Sequence, residues 1–447
     1  MEDNKTDSPE RSGKRDSRFP IAALFVLAVA LAAVIVWGKP WIQTLKPEPA
    51  VFSGGTTAPR STLPLDASSV GPLPSHNARV TNVQIVDFDG DGQQDVVACD
   101  AQRNGVFWYG SASNDSWDEH VIADDLNAPA HATVVDLDQD GRLDVVVSIL
   151  GDLYGVDDVV GRVIWLKATD TGYEQHVLLD DVRRVADVQA GDLDGDGDID
   201  LAVASFGYAR GQVLWLENMG DQQFREHELL AAAGTIHVPI ADYDRDGDLD
   251  IAAIVSQEDE ELWVFENIGG GRFQSRLLWF TSNFDAGSAG LIKDDLDMDG
   301  DVDLLLPLGD NLEYQYAYPQ PYHGCLWFEN EGDWKFTPHR IAHFGGTYAA
   351  ATGDLDADGD RDVVLVSMVN EWQKSGHASI VWLENDGRQN FRMWEIARRP
   401  THLTTVDCGD LNGDGRDDIV AGVMKVLVPF EDREGRLPAW LSRRALP

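Results

Sequence analysis

Seven times this chain sets Asp, with Asn412 the one exception, at positions 1, 3, 5 and 9 of a nine-residue loop. The sets are Asp87, Asp89, Asp91 and Asp95; Asp136, Asp138, Asp140 and Asp144; Asp192, Asp194, Asp196 and Asp200; and Asp242, Asp244, Asp246 and Asp250. They continue with Asp295, Asp297, Asp299 and Asp303; Asp354, Asp356, Asp358 and Asp362; and Asp410, Asn412, Asp414 and Asp418. Position 6 is Gly in every copy, from Gly92 to Gly415. Alternate carboxylates on a tight turn converge on one point, and glycine permits the sharp backbone that wraps them. Hard oxygen donors in that number suit Ca2+, which takes six to eight of them in flexible geometry, better than Mg2+, which demands a strict octahedron. No His or Cys enters the loops, so zinc and copper are disfavoured. Up to seven calcium sites are expected. An EF-hand is excluded, because position 12 is Ala98, Val147, Val203, Ala253, Leu306, Leu365 and Ala421, where that motif needs Glu and a following helix.

The loops begin 49 to 59 residues apart. A repeat of that length holds about four short strands. In the third copy, apolar runs at 185–191, 199–206, 211–217 and 224–230 are bounded by Gly, Asp and Asn, which reads as strands. Four-stranded units repeated around an axis make a β-propeller, so the expected fold is all-β and seven-bladed. Trp108, Trp165, Trp215, Trp327 and Trp382 recur on the third strands. They could stack sugars, but one large ring per repeat is better suited to filling the space between blades. In the seventh copy the third strand is expected near 426–430, where Pro429 cannot donate to a ladder.

These loops, each followed by an aliphatic strand, resemble the FG-GAP/VCBS repeats of integrin α-subunit propellers and of many bacterial surface proteins. The resemblance spans about 76–435. Phe-Gly and Gly-Ala-Pro half-motifs are mostly absent, which points to the bacterial VCBS-like branch. The resemblance implies calcium held by positions 1, 3, 5 and 9 plus a carbonyl at position 7. It also implies a binding, adhesion or scaffold role, with polysaccharide lyase or hydrolase activity as the alternative.

The formal charge is −42, from 77 acidic and 35 basic residues. Seven divalent ions would offset a third of it. Such acidity argues against nucleic acid, which needs clustered Lys and Arg. Cys99, Cys325 and Cys408 read as buried thiols without a disulfide framework. Residues 19–37 carry no charge and span a bilayer core. Arg11, Lys14, Arg15 and Arg18 precede them, and Trp37 and Trp41 mark the far interface. The expectation is an uncleaved, single-pass signal-anchor. Residues 1–18 form a disordered cytoplasmic tail, 38–75 a flexible tether, and 76–447 a periplasmic or extracellular propeller. A cleaved signal peptide is the alternative.

No Gly-x-Ser-x-Gly, Walker or His-Glu-x-x-His motif occurs. If each acidic loop joins the first and second strands of a blade, the first-strand starts and the second-to-third connections share the opposite face. Those segments carry His131, Arg184, Tyr208, His237, Gln257, Asp310, Asn311, Tyr348, Trp372 and His402. Such polar and aromatic groups at a propeller mouth suit a polar, carbohydrate or protein ligand.

Overall fold

The computed structural model describes residues 58–73, 77–112, 116–154, 156–257, 259–283, 286–310, 319–372, 377–425 and 435–443. The segments expected as tail and membrane anchor, and Asn311, lie outside them. Among the described residues no helix is long and apolar enough to cross a membrane.

The described chain forms seven antiparallel sheets, the blades of a β-propeller. Blade 3 is typical, with Val185–Gly191, Asp200–Ser205, Gln212–Asn218 and Phe224–Ala231 paired in sequence order. The second strand of each blade is buried along its length, as in Asp200–Ser205 and Asp362–Ser367. These strands are covered on both faces, and so they read as aliphatic runs without alternation. Each acidic loop links the first strand of a blade to the second.

Ring closure differs from the expectation. Blade 7 takes Leu403–Gly409, Asp418–Val423 and Leu437–Ser442 from one end of the sequence, and Leu65–Val70 from the other. The third strand of this blade is therefore Leu437–Ser442, and residues 426–430, where it was expected, lie outside the described residues. The outer strand comes from the segment expected as a tether, in register from Leu65↔Ser442 to Val70↔Leu437. Val70, Leu437 and Ala439 pack with Val83, Val96 and Phe107 of blade 1 and so seal the ring.

The core is a series of interblade layers. Leu137, Val146 and Trp165 of blade 2 meet Val188, Val203 and Leu216 of blade 3. Trp165, Trp215, Trp327, Trp382 and Trp440 are buried in such layers, and Trp108 is half-buried. The tryptophans thus fill space between blades and offer no sugar-stacking stripe. Several stack on a histidine across the strand pair, with ring centroids 4.2 Å apart for Trp108–His120 and 4.4 Å for Trp215–His227.

One irregularity positions the channel residues. Near its start, the first strand of six blades carries a register shift, between Val80/Asn82, Pro129/His131, Val185/Asp187, Thr235/His237, Thr347/Ala349 and Leu403/Thr405. A bulge of this kind bends a strand and re-aims its side chains. His131, Asp187 and His237 consequently occupy the same register position in blades 2, 3 and 4. In blade 4 the strand also breaks around Pro239, leaving Thr235–His237 and Ile240–Ala241 as separate pieces.

Candidate functional site

The acidic loops share one backbone solution. Gly at position 6 has φ between +85° and +98° in all seven, a region glycine enters without penalty. Its N–H donates to the position-1 carboxylate, at 3.0 Å for Gly92 to Asp87 and 2.8 Å for Gly415 to Asp410. The position-9 carboxylate sits beneath the loop and ties it together. Asp200 accepts from Leu193 N at 3.0 Å and from Asn218 N at 2.6 Å, and Asp303 accepts from Leu296 N and Asn330 N.

Ligand oxygens converge within 4.8 Å of one another in the trios Asp87, Asp89, Asp95; Asp136, Asp138, Asp144; and Asp192, Asp194, Asp200. In blades 4 and 5 the converging trios are Asp242, Asp244, Asp246 and Asp295, Asp297, Asp299. Burial pushes Asp250, Asp303 and Asp362 up to about 7, with neighbouring loop carboxylates adding to the effect. Burial and the Asp358 charge push Asp356 up to about 6. Clustered carboxylates that resist ionising are the donor set a hard divalent cation relieves.

Two loops are built differently. In blade 2 the Lys167 ammonium pairs with Asp138 and lies 3.9 Å from Asp140. The equivalent strand position is Glu217, Glu266, Glu329 or Glu384 in blades 3 to 6. In blade 7, Asn412 donates through Nδ2 to Asp418 at 3.2 Å and to Ser442, whose hydroxyl donates to Asp414 at 2.8 Å. An amide and a hydroxyl thus occupy oxygens that elsewhere converge freely.

The first strands of all seven blades line a central cavity of about 810 Å3. His131, Arg184, Tyr208, His237, Asp310 and Tyr348 line it, contributed by blades 2 to 6. Along their strands these residues sit at the end away from the acidic loops. Gln257, Trp372 and His402 do not line it; Trp372 instead packs on His402, with ring centroids 5.8 Å apart. The ten candidates therefore divide into six at the cavity, three outside it, and Asn311, which is not described.

Asp187 stands at the centre of this wall. It is 1% exposed and has His131 Nδ1 at 3.2 Å from one oxygen and His237 Nδ1 at 3.4 Å from the other. The His131 contact lies off the hydrogen-bond direction. Val238 N donates to Asp187 at 3.0 Å and Gln189 Nε2 at 3.1 Å. Burial alone would raise this carboxyl, but His131, His237 and the Val238 amide hold it well below the usual carboxylate range. Burial lowers His131, against the pull of Asp187. Sequence reasoning passed over Asp187 as an ordinary strand residue. The available signal was its register, shared with His131 and His237. Related clasps link other blades: Ala132 N donates to Asn82 at 3.3 Å and Val83 N to Thr405 at 3.2 Å.

Arg184 and Lys293 also face the cavity. Arg184 is 9% exposed; its Nε donates to the Asp152 carbonyl at 3.1 Å and its guanidinium lies 5.0 Å from the Phe206 ring centroid. Lys293 donates to the Ile240 carbonyl. Burial lowers the pKa of both. Tyr348 is raised by burial first and by Asp310 second, so its phenol stays protonated.

Comparison with known proteins agrees with this architecture. No protein of curated function matches the chain. Among solved structures it is similar to BBS1N in complex with ARL6DN, soaked with lead: TM-score 0.50, 11% identity, covering 87% of this chain and 99% of that one. The mercury-soaked crystal of the same complex gives TM-score 0.49 and 10% identity, over 86% and 98%. At such identities the likeness is one of fold. The profile of the FG-GAP-like repeat matches residues 87–147, 192–253, 242–306 and 354–421, more than half of the chain. With seven registered loops, each joining the first and second strands of a blade, the chain belongs to the FG-GAP-like repeat family.

Proposed function

We propose that this propeller is a membrane-anchored extracytoplasmic binding module, stiffened by calcium on one face and taking its ligand at the other. Calcium would be held by the carboxylates at positions 1, 3, 5 and 9, with the loops of blades 2 and 7 the weakest. The ion's part is structural: it neutralises converging charge and fixes the turn between first and second strands. Residues 19–37 would provide the anchor.

The observation that carries the ligand reading is the cavity itself. Six polar or aromatic side chains from five blades meet there although they span 131–348 in sequence. The volume falls in the range of small-molecule sites. A polar or carbohydrate ligand suits it best. A protein ligand at the rim is the second reading, since BBS1N, of like fold, is crystallised in complex with ARL6DN. The enzymatic alternative, a polysaccharide lyase or hydrolase, would use the same wall.

The test uses the full chain in detergent with calcium. It is expected to bind hits on a glycan array through His237 and Tyr348, without turnover. EDTA should lower its melting temperature reversibly. Retention of binding by both His237→Ala and Tyr348→Phe would refute the cavity as the site, and turnover of a bound polysaccharide would replace the binder with the enzyme.

A further inference from the structure

The chain carries a charge of −42, yet its central cavity holds cations with no carboxylate at ion-pair distance among the described residues. The acidic groups of the wall are largely engaged. Asp187 is taken by two imidazoles, an amide N–H and Gln189. Asp407 accepts from Ile85 N at 2.7 Å and Cys408 N at 2.9 Å. Arg361 is paired with Asp294 at 2.7 Å. Arg184 and Lys293 differ: among the described residues each meets a carbonyl oxygen and neither meets a carboxylate.

Arg184 is the sharper case. It is more than nine-tenths buried, held on one side by the Asp152 carbonyl and on its flat face by Phe206. Only Nε is used, so the two terminal nitrogens have no hydrogen-bond partner among the described residues. A buried cation without a directly paired counter-charge is costly. A fixed guanidinium fork matches one group best, a planar carboxylate bound through two parallel hydrogen bonds. Tyr208, the Asp152 carboxylate and Tyr348 lie close enough to Arg184 to interact with its charge, and the phenols can donate to an anion seated on it. The rest of the wall mixes charged groups, Asp187, Asp310, Asp407 and Arg361 among them, with neutral polar ones. Gln84 belongs to it, and its side-chain oxygen is buried without a partner, which suits a sugar hydroxyl.

We infer that the cavity binds a short acidic oligosaccharide, with a uronate carboxylate seated on Arg184 and the sugar hydroxyls on neutral groups such as Gln84. This deepens the ligand reading above and rests on it. Lys293 marks where a second anionic group of the same ligand would be favoured.

The test is calorimetric titration of the full chain, in detergent and calcium, with digalacturonate, neutral galactobiose and a sulfated galactobiose. Digalacturonate should bind, and galactobiose should bind at least tenfold more weakly, because a charge-assisted pair contributes about 1.5–3 kcal/mol, or roughly 10- to 100-fold. Arg184→Lys keeps the charge but loses the fork, and should cost about tenfold with calcium content unchanged. Lys293→Gln provides a second variant if Arg184→Lys fails to fold, and should weaken digalacturonate more than galactobiose. Equal binding of galactobiose and digalacturonate, insensitive to both substitutions, would overturn the acidic-ligand assignment while leaving the cavity as a sugar site. Tighter binding of the sulfated sugar would overturn the carboxylate. Failure of all three sugars, together with a blank glycan array, would overturn this inference and the carbohydrate reading alike.

Discussion

On the calcium reading proposed above, Lys167 makes the loop of blade 2 the place where the ion and the chain's own charge would compete. The perturbation is Lys167→Met, which keeps an unbranched apolar stem beside Trp165, whose ring centroid lies 5.2 Å from the ammonium. Lys167 pairs with Asp138 and stands 3.9 Å from Asp140, with side chains of Lys167 and Asp138 21% and 26% exposed. At about 4 Å and an effective dielectric near 20, one unit pair amounts to about 4 kcal/mol before desolvation. Partial exposure and side-chain entropy reduce this to on the order of 1–2 kcal/mol net, at the upper end of the surface range. A cation entering this loop must displace or tolerate the ammonium. Each 1.4 kcal/mol is tenfold, so the substitution should raise calcium affinity at this loop about tenfold. Without calcium the variant loses the pair and leaves the carboxylates uncompensated. Its melting temperature in EDTA should fall by about 2–4 °C, since about 1 kcal/mol shifts a large domain by that much. In saturating calcium the deficit should disappear. Equilibrium dialysis at limiting free calcium should show additional bound ion in the variant. An unchanged melting temperature in EDTA together with unchanged calcium content would refute the reasoning.

The calcium-free propeller should lose stability as pH rises from about 4 to 7: burial raises Asp250, Asp303 and Asp362 from 3.8 to about 7, so the native state holds protons that the unfolded chain has released. Urea midpoints in EDTA should therefore be higher at pH 5 than at pH 7.5, and a flat profile would count against it. Asp187→Ala should cost about 3 kcal/mol in urea unfolding, because it strips a buried carboxylate from two imidazoles and the Val238 amide; a loss under about 1 kcal/mol would reduce Asp187 to a bystander. A chain starting at residue 77 lacks Leu65–Val70 and should melt about 5 °C or more below one starting at residue 58, given about 2–3 kcal/mol for the buried Val70 and its half-buried neighbours; equal melting would show that closure does not depend on that strand.

The loops and blades were legible because the repeat writes the same answer seven times. Spacing, glycine at position 6 and aliphatic second strands agree with one another, and agreement across levels is what specifies a fold. Closure was not legible. Leu65–Val70 alternates weakly and carries two serines, so it reads as linker until a partner strand supplies its pairing. The true third strand of blade 7 did carry an aromatic mark, Trp440, but it pairs with Ile419 and so sits one residue beyond the register of Trp165 and Trp215. Pro438 obscured it. In the cavity, His131 and His237 could be picked out by type, but Asp187 could not. Its aim depends on a bulge, and two residues opposing one across a ladder leave no reliable trace in composition. Trp372 and His402 were chosen by type as well, and the blade packs them on each other instead.

Closure by strands from both ends also sets an order of events during synthesis. Six blades are made wholly from nearby sequence, and each can form soon after its fourth strand emerges from the ribosome. The last cannot, because Leu65 waits for Ser442 across nearly the whole described chain. Until then the flank of blade 1 around Val83, Val96 and Phe107 lacks Leu437 and Ala439 and meets blade 7 only through residues such as Leu411 and Val420. Translation that stops before residue 437 would release an open ring with two sticky faces, the kind of species that associates with other chains. Synthesis of Leu437–Ser442 is thus the step that covers these adhesive edges.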